Sequence, residues 1–456
     1  MAVAEAGPAE LLGSGGEADV FRVAGQPHLA EKRWRTPSFQ QARKLELMLA
    51  HPPEGAVTDG HVNLAWPVEA VRAESGGVVG FRMPAVDLQA AVPLFCAYNP
   101  HARKDETAGI TWRHLVRGGR NLAAVVAALH RSGYVVGDLN ESNVLIDRRA
   151  LVSILDCDSI QVPDPATGEV HHCAVARPDF LAPELAGKDL AATDRKESAD
   201  RFALAVMVFL LLQEGVHPYA GVWRGRGEPP DVTTRMRGRR FPYLPGTRMR
   251  PPPHALRMRG LGLRLRLMFY AAFALGPWIG AARPSALSWE RALGQLESRL
   301  TGCGRSRLHV RPGRRACPWC RRTDGGLPDA WPDVSGKGIR PRPPSLPRRL
   351  TLKVRGALRA AARVQSRWAM ARTSGLRAAL PAWAALVTLA LVVPSVTLPL
   401  LASLTLVARL RLGSIRLTAR RTRRLWRRLR PAAPPALWWA LVVGLLLAEL
   451  LAPPPF

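Results

Sequence analysis

Cysteine is scarce in this chain, with six in 456 residues. So few, spread over that length, argue against a disulfide scaffold. No apolar stretch near Met1 resembles a signal peptide, so the N-terminal part is expected on the cytoplasmic side of any membrane. Acidic residues are also few: 35 Asp and Glu face 65 Lys and Arg, a formal charge of +30. The deficit is uneven. Residues 301–456 hold 29 Lys/Arg against 4 Asp/Glu, a net +25, which leaves about +5 on the first 300 residues. Basicity therefore belongs to the tail, where arginine in an Ala/Pro/Leu-rich background also has the look of high-GC coding bias. The length suggests two or three domains.

What is present begins with one spacing. Asp138 and Asn143 stand in Val136-Gly137-Asp138-Leu139-Asn140-Glu141-Ser142-Asn143, and Asp156 follows thirteen residues later in Asp156-Cys157-Asp158. Phosphoryl transfer from ATP needs a carboxylate near the attacking hydroxyl, with an amide and a second carboxylate to hold magnesium (or manganese). A lone D-x4-N is common, but five further landmarks follow the order of a protein kinase. Gly13-Ser14-Gly15-Gly16, with Ala18 and Val20 after it, is a glycine-rich turn able to bring backbone N–H groups to phosphate oxygens. Lys32 falls where a third strand would offer an ammonium to the α- and β-phosphates. Ala182-Pro183-Glu184 would end a segment that starts at Asp156. Asp200 opens the apolar run from Phe202 to Leu212, too short for a bilayer and read as a buried helix. Arg283 would pair with the glutamate of A-P-E. Singly, each has a plainer reading: a flexible turn, a solvated lysine, an N-cap.

Local patterns agree with these positions. Leu115, Leu122, Val125, Val126 and Leu129 recur at helical steps across Trp112 to His130. Val144 to Ile146 and Leu151 to Leu155 read as a short hairpin between Asn143 and Asp156. Phe39 to Ala50 has helical periodicity, and Glu46, its only acid, is the candidate partner of Lys32; the plainer alternative is a solvated charge. Several residues depart from ordinary kinases. Val136 and Gly137 replace the His-Arg of H-R-D, so control through a phosphorylated loop at that pocket is not expected. Asn140 replaces the lysine that steadies the γ-phosphate, Ala18 replaces the third glycine, and Cys157-Asp158 replace Phe-Gly of D-F-G. Asp158 is read equally as a metal ligand or a turn cap.

The chain resembles bacterial serine/threonine-kinase-like proteins with a C-terminal helix-hairpin-helix or zinc-ribbon module. Trp66-Pro67, Gly80-Phe81-Arg82-Met83-Pro84, Trp112-Arg113-His114-Leu115-Val116, Asn121-Leu122-Ala123 and the Val136–Asn143 loop carry the likeness. So do Asp156-Cys157-Asp158-Ser159, Pro183-Glu184-Leu185, His217-Pro218-Tyr219-Ala220-Gly221 and Cys317-Pro318-Trp319-Cys320. It spans residues 10–322. The resemblance implies a two-lobed kinase fold and, as partners, a phosphatase and a von Willebrand-type protein.

Cys303, His309, Cys317 and Cys320 have the spacing of a structural zinc site, with C-P-W-C as the knuckle. Thr323 to Pro347 is Gly- and Pro-rich and reads as a linker. Arginines at 355, 359, 363 and 367 then step by four residues, giving a basic amphipathic helix suited to an anionic membrane; a disordered basic arm or one contacting nucleic acid is the alternative. Residues 378–408 carry no charge over 31 residues and 431–448 none over 18, and both read as membrane segments. Ten arginines in 409–430 conflict with a single crossing before them. A hairpin at Pro394 and Pro399 would return the chain to the same side; the alternative is an external arginine-rich loop.

The expected architecture is α+β: a kinase-like N-lobe (1–90) and C-lobe (91–300), a zinc knuckle (301–322), a linker (323–347) and a basic helix (348–377). A membrane segment (378–408), an Arg-rich connector (409–430) and a second membrane segment (431–456) complete it. The expected function is a membrane-tethered serine/threonine protein kinase facing the cytoplasm. Asp138 would act as base, Asn143 and Asp156 would hold the metal, and Lys32 would bind phosphate. The rivals are a nucleotide-binding pseudokinase scaffold and a nucleic-acid-binding regulator, for which Arg259-Gly260-Leu261-Gly262 is a weak hairpin echo.

Overall fold

The structure, a computed structural model, describes residues 10–332 apart from 104–106, 108, 245, 276–282 and 314–315. These lie in the first of two compact units, Met1–Arg342. The expected basic helix, both apolar segments and the Arg-rich connector lie outside the described residues. Among the described residues, no helix is long and apolar enough to cross a membrane.

The fold is mixed α+β. Strands β1 (Leu11–Ser14), β2 (Ala18–Arg22) and β3 (Leu29–Trp34) precede helix α1 (Phe39–Ala50), and β4 (Glu69–Arg72) and β5 (Val78–Pro84) follow it. The five strands form an antiparallel sheet in the order β1-β2-β3-β5-β4. Alternation along β3 sends Ala30 and Trp34 into a core with Ala18, Leu45, Ala65, Phe81 and Met83. Gly80 is required on β5, because a Cβ there would stand 2.1 Å from the Lys32 carbonyl oxygen. Helix α1 starts at a capping box, with Ser38 and Gln41 satisfying each other's backbone N–H groups.

The C-terminal part is mostly helical. Strand β6 (Ala91–Pro93) pairs with β7 (Val144–Asp147), which forms the expected hairpin with β8 (Val152–Ile154). Helix α2 (Trp112–Arg131) buries the five apolar positions that define its stripe, and packs on α3 (Glu197–Leu212) and α4 (Ala286–Ser298). Every residue from Phe202 to Leu212 is buried. Phe209 lies at the centre of an aromatic cluster, 5.0 Å from Phe269 and 5.8 Å from Phe241, Tyr243 and Phe273. Each such side chain contributes about 1.5–3 kcal/mol on burial.

Strands β9 (Leu300–Gly302) and β10 (Val310–Pro312) and helix α5 (Pro318–Asp324) carry the cysteine cluster. Trp319 packs edge-on between Trp112 at 5.8 Å and Trp331 at 5.9 Å. The Arg103 guanidinium lies 3.6 Å over the Trp331 ring, and Arg322 pairs with buried Glu214 at 2.5 Å. The expected linker therefore does not begin at Thr323: residues through Trp331 belong to the folded unit, because Trp331 is buried against it.

Candidate active site

The inward alternation that buries Ala30 and Trp34 also turns Lys32 inward, leaving its side chain 12% exposed. Its Nζ donates to Asp156 Oδ1 at 2.5 Å and to Asp158 Oδ1 at 2.6 Å, joining groups 124 and 126 residues apart. The Trp34 indole, two residues along the same strand, donates to Asp158 Oδ2 at 3.2 Å. Burial alone would lower the Lys32 pKa, but the Asp158 and Asp156 carboxylates outweigh it and hold the ammonium above its usual range. Burial likewise raises Asp156, and Lys32 outweighs it and keeps that carboxyl below its usual range. Both Asp158 oxygens are thus engaged by strand β3.

Asp156 takes a left-handed conformation (φ 56°) and leads into the 3₁₀ turn Cys157–Ser159. The Cys157 thiol is 2% exposed and is pushed well up by burial. Just before Asp156, the Leu155 N–H donates to the Asn143 carbonyl at 2.8 Å, which ties this segment to the loop holding Asp138. Asn143 Nδ2 donates to the Asp138 carbonyl at 3.2 Å and to its Oδ2 at 3.3 Å. Asp138 Oδ1 accepts the Arg177 N–H at 3.2 Å, and the Arg177 side chain donates to Ser142 at 2.6 Å. Asn140 is 1% exposed and turned into its own loop, donating to the Asp138 carbonyl at 3.2 Å and accepting the Ser142 N–H at 2.9 Å.

The loop is pinned from below by Asp200, which is 1% exposed and accepts the Val136 and Gly137 N–H groups at 2.7 and 2.8 Å. Lys196, not Asp200, is the cap of α3. Gly137 has φ 75°, and a Cβ there would meet the Cys173 side chain at 2.8 Å and the Arg195 guanidinium at 2.9 Å. Arg195, 2% exposed, donates to the Cys173 and Val175 carbonyls at 2.6 and 2.8 Å. A buried arginine thus enters from the 195 side and holds the segment after Asp156 by its backbone. Glu184 and Arg283 form the expected ion pair, with one contact at 2.9 Å and the Arg283 side chain fully buried.

In the glycine-rich hairpin, the Gly15 N–H closes the turn on the Ala18 carbonyl at 2.9 Å. The Ser14 hydroxyl donates to Asp19 at 2.6 Å, and Arg35 holds both residues, at 2.8 and 2.7 Å. Gly13 and Gly16 leave open space where a Cβ would stand. Ala18 belongs to the core and Val20 packs against it.

A cavity of about 650 Å³ lies between α1 and the segment after Asp156, lined among others by Glu17, Lys32, Lys44, Asp156, Asp158 and His171. Asp138 and Asn143 are not among its lining residues. From α1 it receives Gln40, Gln41, Lys44, Leu45 and Met48, the last four forming an i, i+3, i+4, i+7 stripe of one helix face. Glu46 lies off that stripe. It is exposed and pairs with Arg43 at 3.4 Å, so the expected Lys32–Glu46 pair does not form; two residues from Lys44 is roughly 200° around the helix. The acids on Lys32 are Asp156 and Asp158, and the charged residue that α1 offers to the cavity is Lys44. Burial holds the Lys44 pKa below its usual range, opposed first by Asp158. The stripe spacing was a signal for Lys44; nothing in the sequence signalled the Asp158 contact.

The cysteine cluster is separate. Ligand atoms of Cys303, His309, Cys317 and Cys320 all lie within 4.8 Å of one another. Cys303 Sγ is 3.6 Å from Cys320 Sγ, and His309 Nδ1 is 3.3 Å from Cys320 Sγ and 3.7 Å from Cys317 Sγ. A tetrahedral zinc with Zn–S of about 2.3 Å would space its sulfurs about 3.8 Å apart, so the donor set fits that ion. His309 Nε2 points the other way, 2.9 and 3.1 Å from the Asp329 carboxylate, which lies beyond the expected 301–322 module.

Sequence comparison supports a likeness to bacterial protein kinases. The chain is 30% identical to protein kinase YegI of Escherichia coli O157:H7 over 326 residues, covering 70% of this chain and 49% of that protein. It is also 30% identical to protein kinase YegI of E. coli strain K12 over 322 residues, covering 69% and 48%. The chain thus spans about half the length of these curated relatives. No family model matches it.

Proposed function

We propose that the chain is a membrane-tethered serine/threonine protein kinase that transfers the ATP γ-phosphate to protein hydroxyls. The observation that carries this reading is the junction at Lys32. One buried ammonium from β3 meets two carboxylates of the 156–158 segment, which is itself tied through Leu155 to the Asp138–Asn143 loop. Lys32 would bind the α- and β-phosphates, with the Gly13–Gly16 turn over them. Asn143 and Asp156 would hold Mg²⁺, which supplies neutralising charge on the phosphate oxygens when bound. Asp138 would orient the acceptor hydroxyl and take its proton. Its Oδ1 is at present bonded to the Arg177 N–H, so an acceptor would exchange with that contact.

Serine/threonine specificity rests on the family resemblance, as do the partner phosphatase and von Willebrand-type protein. The membrane tether rests on the uncharged run 378–408 and its arginine-rich flanks. The Cys303–His309–Cys317–Cys320 cluster would hold a structural zinc, since four protein ligands leave no open position.

Incubating the full chain with Mg-ATP labelled at the γ-position tests the kinase reading. Label on serine or threonine, lost in Asp138→Ala and Lys32→Met, supports it; equal label in those variants rejects the assigned roles. One observation favours a second reading, a nucleotide-binding pseudokinase scaffold: Asn140 is turned into its own loop and offers no cation there. Thermal stabilisation by Mg-ATP without any transfer would select it.

A further inference from the structure

Protein kinases position the strand lysine with a glutamate on the neighbouring helix. Here that helix, α1, places no acid in the cavity. Its facing stripe is Gln41, Lys44, Leu45 and Met48, and its one acid, Glu46, is exposed and paired with Arg43. The acid that holds Lys32 from a fixed mount is Asp158. One oxygen takes the ammonium at 2.6 Å, and the other takes the Trp34 indole at 3.2 Å. Because Trp34 and Lys32 share a strand, the indole sets the carboxylate in register with the lysine. Asp156 is not tied to strand β3 in this way, and its side chain is the more exposed, 39% against 16% for Asp158.

Lys44 reaches the same cavity from the helix, half-buried, and forms no hydrogen bond or ion pair among the described residues. A cation drawn partly out of water without a partner is unfavourable unless an anion takes it up. Asp158 occupies the position that is glycine in D-F-G, and Lys44 occupies the helix face where a glutamate would be looked for. The two substitutions are complementary: the acid has moved from helix to loop, and a base has taken its place on the helix.

We propose that Asp158 is the positioning acid of Lys32, and that Lys44 completes the clamp from α1, so that helix and nucleotide site are coupled through a clamp of inverted polarity. The inference rests on the kinase reading and deepens it. When Lys32 turns to the phosphates and Asp156 to the metal, Asp158 stays with Trp34 and Lys32, and Lys44 supplies its second cation. Neither Asp158 nor Lys44 need touch the substrate; they act through Lys32.

The test uses the full chain and steady-state transfer from Mg-ATP, read as kcat and KM for ATP. Asp158→Gly and Asp158→Asn are expected to lower kcat/KM for ATP about 100-fold, the scale of a misplaced positioning group. Asp158→Asn retains a side chain able to accept from Trp34, so a loss there is one of charge. Lys44→Glu is expected to lower kcat/KM as well, by adding a third acid around Lys32. The double variant Lys44→Glu/Asp158→Gly restores the usual helix-glutamate arrangement and should recover to within about tenfold of the native chain. A merely structural role predicts no such rescue. Native kcat/KM in both Asp158 variants, or a double variant no better than Asp158→Gly, overturns the proposal. A native chain that transfers no phosphate rejects the kinase reading instead; the clamp then stands or falls on whether the thermal shift caused by Mg-ATP is lost in Asp158→Asn and regained in the double variant.

Discussion

Two polar clusters organise this molecule, and they are built on opposite plans. Around Lys32, charged groups from strand β3 and the 156–158 segment are joined across more than 120 residues and left facing a cavity. Around His309, three thiols and one imidazole from a stretch of 18 residues close on one another, and His309 itself is fully buried. A closed set satisfies its own members and serves stability; an open set of opposed charges keeps capacity for a ligand. The comparison teaches that a site is told from a staple by what its polar groups still lack.

The sharpest way to break the contrast is to empty the closed cluster. Chelation of zinc, or Cys317→Ser with Cys320→Ser, should remove about one zinc per chain and lower the melting temperature by many degrees. Apparent folding free energies of about 10–16 kcal/mol are typical of such sites in isolated peptides. Because Trp319 packs on Trp112, the loss should spread into helix α2. Metal analysis with calorimetry would show it, and an unchanged melt with no bound zinc would remove the staple from the account.

Next in size is a pair outside both clusters. Glu184→Ala strands the buried Arg283 guanidinium and should cost about 3–5 kcal/mol in urea denaturation. The open cluster should show itself through pH. The Asp156 carboxyl is held below its unfolded range, so its contribution is complete above about pH 4 and is lost as pH falls. Lys32 is held above its range, so its contribution is complete below about pH 10 and is lost as pH rises through the folded value. Asp156→Asn should therefore flatten the acid limb of stability against pH while leaving the zinc content unchanged. The smallest effect belongs to Glu46. It is an exposed i,i+3 partner of Arg43, and its replacement by Ala should shift stability by no more than about 0.5 kcal/mol and leave KM for ATP as it was.

Much of this was legible in the residues. Helical spacing located α1 and α2, two short apolar runs around Asp147-Arg148-Arg149 located the β7–β8 hairpin, and C-P-W-C with Cys303 and His309 picked out four side chains that the structure brings together. Those signals are local, and local patterns survive the loss of tertiary context. Less legible is how elements face one another across the fold. Glu46 is the only acid on its helix, but helix phase, not charge, decides which residues face the cavity, and that phase presents Lys44. Asp158 could not be placed as the partner of Lys32, because that contact depends on how the 156–158 turn meets strand β3. The Gly- and Pro-rich composition after Thr323 masks the burial of Trp331, so the folded unit runs further than that composition suggests.

The central claim is that Lys32, Asp156, Asn143 and Asp138 act together on a nucleotide's terminal phosphate. Its most direct measurement is single-turnover transfer from γ-labelled Mg-ATP by the full chain beside Asp138→Asn. The account predicts label on serine or threonine in the native chain and a loss of about 10²- to 10⁴-fold in the variant, with nucleotide binding retained. Equal transfer by both chains would contradict it.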